Sequence, residues 1–251
     1  MADDRPTIRI AAAGDIHCSE ARAAQAVEAF ASAGSEVDLV LLAGDLTTLG
    51  EPEQAAVVAR AAGALDVPVV AVLGNHDWHA DRTEEIATVL RAAGIVLLDP
   101  GVETIEVRGT TIGIVGTKGF VGGFPDSQLP DFGEPILRHV YASTTAEVDA
   151  IERGLETIEG CDLRIVLLHY SPTTTTLVGE PETIWAFLGT DRMAPPIAKH
   201  RPDLVLHGHG HKGTICGAIG DVPVYNVAVP VIGRPFWAFE LAPRQAQLSR
   251  A

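Results

Sequence analysis

Five short segments of the chain carry groups that ligate hard or borderline metal ions. In order they are Asp15-Ile16-His17, Gly44-Asp45, Gly74-Asn75-His76-Asp77, His169 and Gly208-His209-Gly210-His211. Each offers a carboxylate, an amide oxygen or an imidazole, and most directly follow an apolar run that reads as a strand. Such a series lines donors along one edge of a sheet, which is what a two-metal hydrolytic site requires.

The residue types suit separate tasks. Asp15 and His17 stand two apart, and in extended backbone residues i and i+2 point the same way, so one cation can take both. The competing reading is a loop aspartate capping the next helix. Asp45 ends the apolar run at 39–42. A charge there must be exposed, paired or metal-bound, and a carboxylate can bridge two cations; a helix cap is the plain alternative. Asn75 offers a neutral hard oxygen. His76 would then point to the opposite side and reach a leaving group, with Asp77 holding its tautomer, although Gly-Asn is also turn chemistry. His169 alone reads as a core histidine, and its case depends on the other motifs. In His207-Gly208-His209-Gly210-His211 the glycines let the backbone turn while imidazoles converge. His207, nearest the strand, reads as buried structure, and His209 and His211 as ligands. The cysteine spacing of a zinc finger is absent.

These side chains need elements to position them. Apolar runs at 7–13, 37–43, 67–73, 163–168 and 203–206 read as strands, and the segments 20–33, 52–65 and 81–93 between them read as helices. Pro52 falls early in its helix, where a missing N–H costs little. Asp81 or Thr83 is the expected N-cap of the third helix, and Gly94 the residue that ends it. Short β runs follow at 95–98, 102–107 and 111–115, and again at 214–218, 222–227 and 237–241. A helix is expected at 143–158, capped by Ser143 or Thr144, and a short one at 194–200. The segments 118–141 and 173–196 are rich in Gly, Pro and Thr and read as irregular, the pattern of substrate-side loops. The sum is an α/β chain with ligand motifs at the C-terminal ends of parallel strands, expected to form one domain over 1–251.

Bulk properties narrow the partners. The 251 residues are 47% hydrophobic, enough for a substantial core, and the net charge is -15. A surface this acidic gives no general attraction to nucleic acid or anionic membranes, so a phosphate substrate must be drawn locally by bound cations. Three cysteines, Cys18, Cys161 and Cys216, make no disulfide framework. Residues 1–6 are polar, with no basic-then-apolar leader, and no apolar stretch approaches the ~20 residues of a spanning helix. The expectation is a soluble, cytoplasmic protein.

Five of the nine histidines fall in the motifs. Taken in order, the series resembles that of the calcineurin-like metallophosphoesterases: Asp-x-His, Gly-Asp, Gly-Asn-His-Asp/Glu, His and Gly-His-x-His, spanning Asp15 to His211. The resemblance implies a four-layer αββα sandwich, two mixed β-sheets flanked by helices. It also implies a dinuclear centre of divalent or trivalent ions (Mn, Fe, Zn, Co or Ni). One ion would take Asp15, His17, Asp45 and His211, and the other Asp45, Asn75, His169 and His209, with His76 as the acid for the leaving oxygen. Ions ~3.5–4 Å apart would clamp the phosphate while an activated hydroxide attacks in line.

The expected activity is hydrolysis of a small-molecule phosphodiester, a cyclic nucleotide or nucleotide conjugate. A phosphomonoesterase or protein phosphatase, or a non-catalytic metal-stabilised binding subunit, is the alternative. Nucleic acid and membrane are not expected partners, and oligomeric state is left open. In the irregular segments Phe120, Phe124, Tyr141, Trp185 and Phe187 could stack on a ring, and Lys118, Arg138, His139 and Arg192 could hold a second phosphate; the competing reading is that they pin the loops.

Overall fold

A computed structural model describes residues 7–34 and 36–243; the polar stretch at 1–6 lies outside them. The first half alternates β1 (Ile8–Ala13), α1 (Ala23–Gly34), β2 (Leu39–Ala43), α2 (Pro52–Ala62), β3 (Val69–Val72), α3 (Thr83–Ala92) and β4 (Val96–Leu97). The second half runs β5 (Gly101–Val107), β6 (Thr110–Gly116), α4 (Pro135–Thr157), β7 (Leu163–Leu167), α5 (Trp185–Leu188), α6 (Ala194–His200), β8 (Leu204–His207), β9 (Cys216–Ile219), β10 (Val222–Asn226), α7 (Val229–Ile232) and β11 (Trp237–Leu241).

Among the described residues these strands form two mixed sheets, ordered β11-β1-β2-β3-β4 and β5-β6-β7-β8-β10-β9. Strands β1 to β4 are parallel, as are β6, β7, β8 and β10; β11, β5 and β9 join antiparallel. The parallel ladders need helical crossovers, which is why α1, α2, α3 and α4 cover the outer faces.

Alternation along the strands sets the layers. Leu39, Leu41 and Ala43 of β2 join Ile10, Val70 and Val72 in a core shared with Ile112, Ile114, Ile165, Leu167 and Leu206 of the other sheet. The intervening Val40 and Leu42 face Phe30, Val58, Ile86 and Leu90 of α1 to α3. On the second sheet Val115, Val166 and Val205 face Ile151, Leu155 and Ile197 of α4 and α6. The result is helix, sheet, sheet, helix, as the motif resemblance implies. Among the described residues no helix is long and apolar enough to cross a membrane, and all three cysteines are free.

Local expectations change in three places. Helix α4 begins at Pro135 rather than 143, with Glu134 as N-cap and proline in the first turn. The Gly133-Glu134-Pro135 sequence therefore starts a helix where it reads as loop, by the same first-turn proline logic as Pro52. Ser143 and Thr144 are not caps; their hydroxyls donate back to the carbonyls of His139 and Val140 one turn earlier. Arg82, rather than Asp81 or Thr83, occupies the N-cap position of α3 and makes no side-chain capping bond, while Gly94 takes the left-handed φ of 83° that ends it.

Leu41 is fully buried on the inter-sheet face. Leu41→Ala is expected to lower the unfolding free energy by about 2–5 kcal/mol, the range for a leucine cavity in a packed core. Urea denaturation at fixed pH measures this. A loss under about 1 kcal/mol would show that the inter-sheet layer does not carry the stability assigned to it.

Candidate metal centre

The parallel strands end together, and their next residues carry the motifs. Asp15 and His17 follow β1, Asp45 follows β2, Asn75 and His76 follow β3, His169 follows β7, and His209 and His211 follow β8. The two sheets are joined at this edge: His169 Nδ1 donates to Ala43 O at 2.9 Å, and Gly14 N donates to Val227 O at 2.9 Å.

Two clusters form. Asp15, His17 and His211 bring one ligand atom each to within 4.8 Å of one another, and Asp45, His169 and His209 do the same. Atoms ~2.1 Å from a shared ion lie at most about 4.2 Å apart, so small shifts would seat a cation in either group. Asn75 Oδ1 sits 2.9 Å from His169 Nε2, which adds the amide oxygen to the second cluster. Asp45 stands between them: its Oδ1 is 3.3 Å from His169 Nε2, and its Oδ2 is 3.8 Å from His17 Nε2 and 3.9 Å from His76 Nε2. The seven motif residues expected to bind metal therefore converge.

Backbone groups fix which nitrogen each ring presents. His169 Nδ1 is held by Ala43 O and His17 Nδ1 by Thr47 O at 3.4 Å, so both present Nε2. His209 Nε2 donates to Phe187 O at 3.2 Å, which leaves Nδ1. Such outer hydrogen bonds set tautomer and ring angle in metal sites. Burial pushes His209 down to about 3, so its imidazole is neutral and able to ligate. Burial also lowers His17, against the nearby carboxylates of Asp45 and Asp15. Burial by itself would raise Asp15. The hydrogen bond from His211, the charges of His169 and His211 and the His209 N–H outweigh it and hold the carboxyl below its usual range. The same bond raises His211.

Three observations fit a metal pair. Asp15 and Asp45 are buried, and among the described residues their ion-pair partners are imidazoles, with no Lys or Arg. Buried carboxylates without a fixed cation favour a bound one. Asp15, His17, Asp45 and His209 adopt left-handed φ of 56°, 41°, 49° and 68°, conformations that persist where the surroundings enforce them. The motif glycines have a packing reason. A Cβ on Gly44 would stand 2.6 Å from His169 Nδ1, and one on Gly74 would overlap Asp45 Oδ1.

One role read from sequence changes. Asp77 does not hold His76. Its buried carboxylate accepts from Gly74 N at 2.8 Å, Leu46 N at 3.2 Å, and Thr47 N and Oγ1 at 2.8 and 2.6 Å. It thus ties the loop after β3 to the loop after β2. His76 Nδ1 instead donates to Thr48 O at 2.8 Å, which turns Nε2 toward Asp45. His207 is structural, as its position suggests: Nδ1 donates to Gly208 O and Nε2 accepts from Thr176 Oγ1, both at 2.7 Å. Burial pushes it down to about 4.

The irregular segments divide. Phe124 packs with Leu177, Leu188 and Trp185, and so pins the loops together. Tyr141 stacks under Arg192 at 3.9 Å, and Arg138 pairs with Asp131 at the surface. Lys118 and Phe120 instead line a cavity of about 340 Å³ beside Asn75, with Trp78, Glu147 and Tyr170. Sequence reading did not single out these last three. Trp78 and Tyr170 directly follow the motif residues Asp77 and His169, a usable signal; Glu147 comes from α4 and carries none.

The sequence pattern of the calcineurin-like phosphoesterase family matches residues 8–213. No curated protein matches significantly in sequence. Solved structures with a similar fold include the phosphopantetheinyl hydrolase of Mycobacterium tuberculosis, 13% identical with a TM-score of 0.67 over 98% of this chain and 100% of that one. TT1561 of Thermus thermophilus is 19% identical, with a TM-score of 0.56 over 88% of each chain. GAP50, the anchor in the inner membrane complex of Plasmodium, is 13% identical, with a TM-score of 0.58 over 90% of this chain and 72% of that one. With its motif series matched over most of its length, the chain belongs to the calcineurin-like phosphoesterase family.

Proposed function

We propose that this protein hydrolyses a phosphodiester of a small molecule, with a cyclic nucleotide or nucleotide conjugate as the substrate class. The observation that carries this reading is the pair of donor clusters with the Asp45 carboxylate standing between them. Bound there, two transition-metal ions would neutralise the phosphoryl oxygens and supply an activated water nucleophile. The mixed imidazole, carboxylate and amide donors suit Mn, Fe, Zn, Co or Ni.

The chain's own residues do the rest. Asp15, His17, Asp45 and His211 would hold one ion, and Asp45, Asn75, His169 and His209 the other. His76 is the candidate acid. With Nδ1 fixed on Thr48 O, Nε2 can carry a proton to the departing oxygen, and its partly exposed ring is open to substrate. Asp77 positions the loop and does not touch the reacting atoms. A diester is favoured because the metal motifs themselves carry no Lys or Arg to grip a terminal dianion. The cavity beside Asn75 also leaves room for a second ester group.

The direct test compares bis-p-nitrophenyl phosphate with p-nitrophenyl phosphate after metal stripping and reloading with Mn²⁺. The diester should win in kcat/KM by about tenfold or more, a difference of about 1.4 kcal/mol in the barrier; a monoester preference would overturn the diester reading. His76→Ala should slow turnover by about 10²–10⁴-fold, the usual contribution of a positioned proton donor, while metal content stays at the wild-type level. Unchanged turnover would remove His76 from the reaction. Asp45→Asn should lower occupancy at both positions under matched loading. Two full equivalents in that variant, measured by elemental analysis, would rule out Asp45 as the bridge.

A further inference from the structure

The cavity beside Asn75 has its own chemistry. Trp78, Phe120 and Tyr170 wall it, and two charged side chains enter it, Lys118 and Glu147. Lys118 is only 8% exposed. Its Nζ lies 4.2 Å from the Phe120 ring centre, 5.2 Å from Tyr170 and 5.7 Å from Trp78, and donates one hydrogen bond, to Gly119 O at 3.2 Å. An ammonium carries three protons, so two remain for a ligand. Glu147 uses Oε2 to accept from Thr117 Oγ1 and from Gly119 N, which fixes the side chain. Its Oε1 has no hydrogen bond to the described residues.

Lys118 and Glu147 together sum to no net charge, with Asp99 a further carboxylate within electrostatic reach of both, in a largely aromatic space that Asn75 and Ser143 also line. A bare anion drawn to Lys118 would face the carboxylate, and a cation drawn to Glu147 would face the ammonium. A neutral group with a carbonyl beside an N–H satisfies both: the carbonyl accepts from Lys118 and the N–H donates to Glu147. The aromatic walls favour a planar version of that group. A volume of about 340 Å³ falls in the range of small-molecule sites, mostly apolar with a few placed polar groups.

We propose that this cavity is the subsite for an amide group on the esterified part of the substrate. That amide is either the lactam or imide edge of a nucleobase such as uracil or guanine, or an open-chain amide. Placing the phosphoester over the metals next door rests on the function proposed above; the binding chemistry of the cavity does not. Asn75 borders both, so a ligand in the cavity lies within reach of the centre.

Isothermal titration calorimetry on the full Mn²⁺-loaded chain tests this with probes that carry no phosphate. Uridine and guanosine present the ring amide, N-acetyl-β-alaninamide presents the open-chain amide, and adenosine lacks the carbonyl. One or both amide classes should bind, and the class that binds identifies the source. Adenosine should bind roughly 10–100-fold more weakly than the ring amides if those bind, the effect of one lost hydrogen bond to a charged group. Lys118→Met should weaken the amide probe by a similar factor. The double variant Lys118→Met/Glu147→Gln removes both charges of the cavity together and should show the same loss with wild-type far-UV circular dichroism. No binding by any amide at millimolar concentration, ring amides that bind but no better than adenosine, or undiminished affinity in the double variant would overturn the subsite. Diester turnover reports separately: turnover without amide binding sinks only the subsite, and amide binding without turnover sinks only the hydrolase reading.

Discussion

The carboxylate of Asp45 is the constraint about which the centre is arranged. It is 1% exposed at the meeting point of two sheets, and the ion-pair partners among the described residues are the imidazoles of His17, His76 and His169. Removing a carboxylate from water is expensive unless charge or hydrogen bonds compensate. Here Oδ1 receives the His76 backbone N–H at 2.8 Å, and a cation bound between the clusters would add further compensation. Gly44 and Gly74 are small because the His169 ring and the Asp45 carboxylate occupy the space their side chains would need.

The sandwich is what makes that arrangement possible. Neither sheet holds a complete centre: Asp15, His17, Asp45 and Asn75 follow strands of one, and His169, His209 and His211 follow strands of the other. The bond from His169 Nδ1 to Ala43 O and that from Gly14 N to Val227 O close the gap between them. The packed inter-sheet layer fixes the distance, since interiors at crystal-like density deform little. The Asp77 carboxylate, gathering donors from Leu46, Thr47 and Gly74, then locks the two central loops together. Left-handed backbone at four of the seven candidate ligands can be sustained in such a frame.

What was legible in the sequence was local. Apolar runs such as 39–43, and donors placed just past their ends, are contiguous or adjacent features that give an α/β chain with donors at strand ends; the four layers and the two ligand sets came from the family resemblance those motifs carry. What was not legible depends on partners far along the chain. Asp77 takes all its donors but Gly74 N from positions some thirty residues away, so adjacency to His76 suggested the wrong partner. Glu147 reaches Thr117 and Gly119 only because α4 packs against β6. The start of α4 failed for a different reason: a Gly-Glu-Pro sequence reads as punctuation, yet proline in the first helical turn lacks only an N–H that would have had no partner there. Phe124 and Trp185 have the composition of a ring-binding surface, and the contacts between the two irregular segments turn them into core.

Charge separates the two halves of the candidate active region. A chain of net charge -15 repels a phosphate ester at long range, so attraction has to be built where the reaction occurs. Carboxylates at the strand ends would do this indirectly, by holding cations whose local field is of the opposite sign. Anything beyond the phosphate must then be recognised without adding charge, because further exposed lysines or arginines would offer every anion a competing site. A buried ammonium balanced by a fixed carboxylate meets that condition: it offers strong directional hydrogen bonds with little net attraction for ions. Lys118 and Glu147 are balanced in this way, one strand end from His169. Discrimination there rests on the pairing of donor with acceptor, where a missing partner leaves a buried charge unsatisfied and is penalised more heavily than a poor fit of shape.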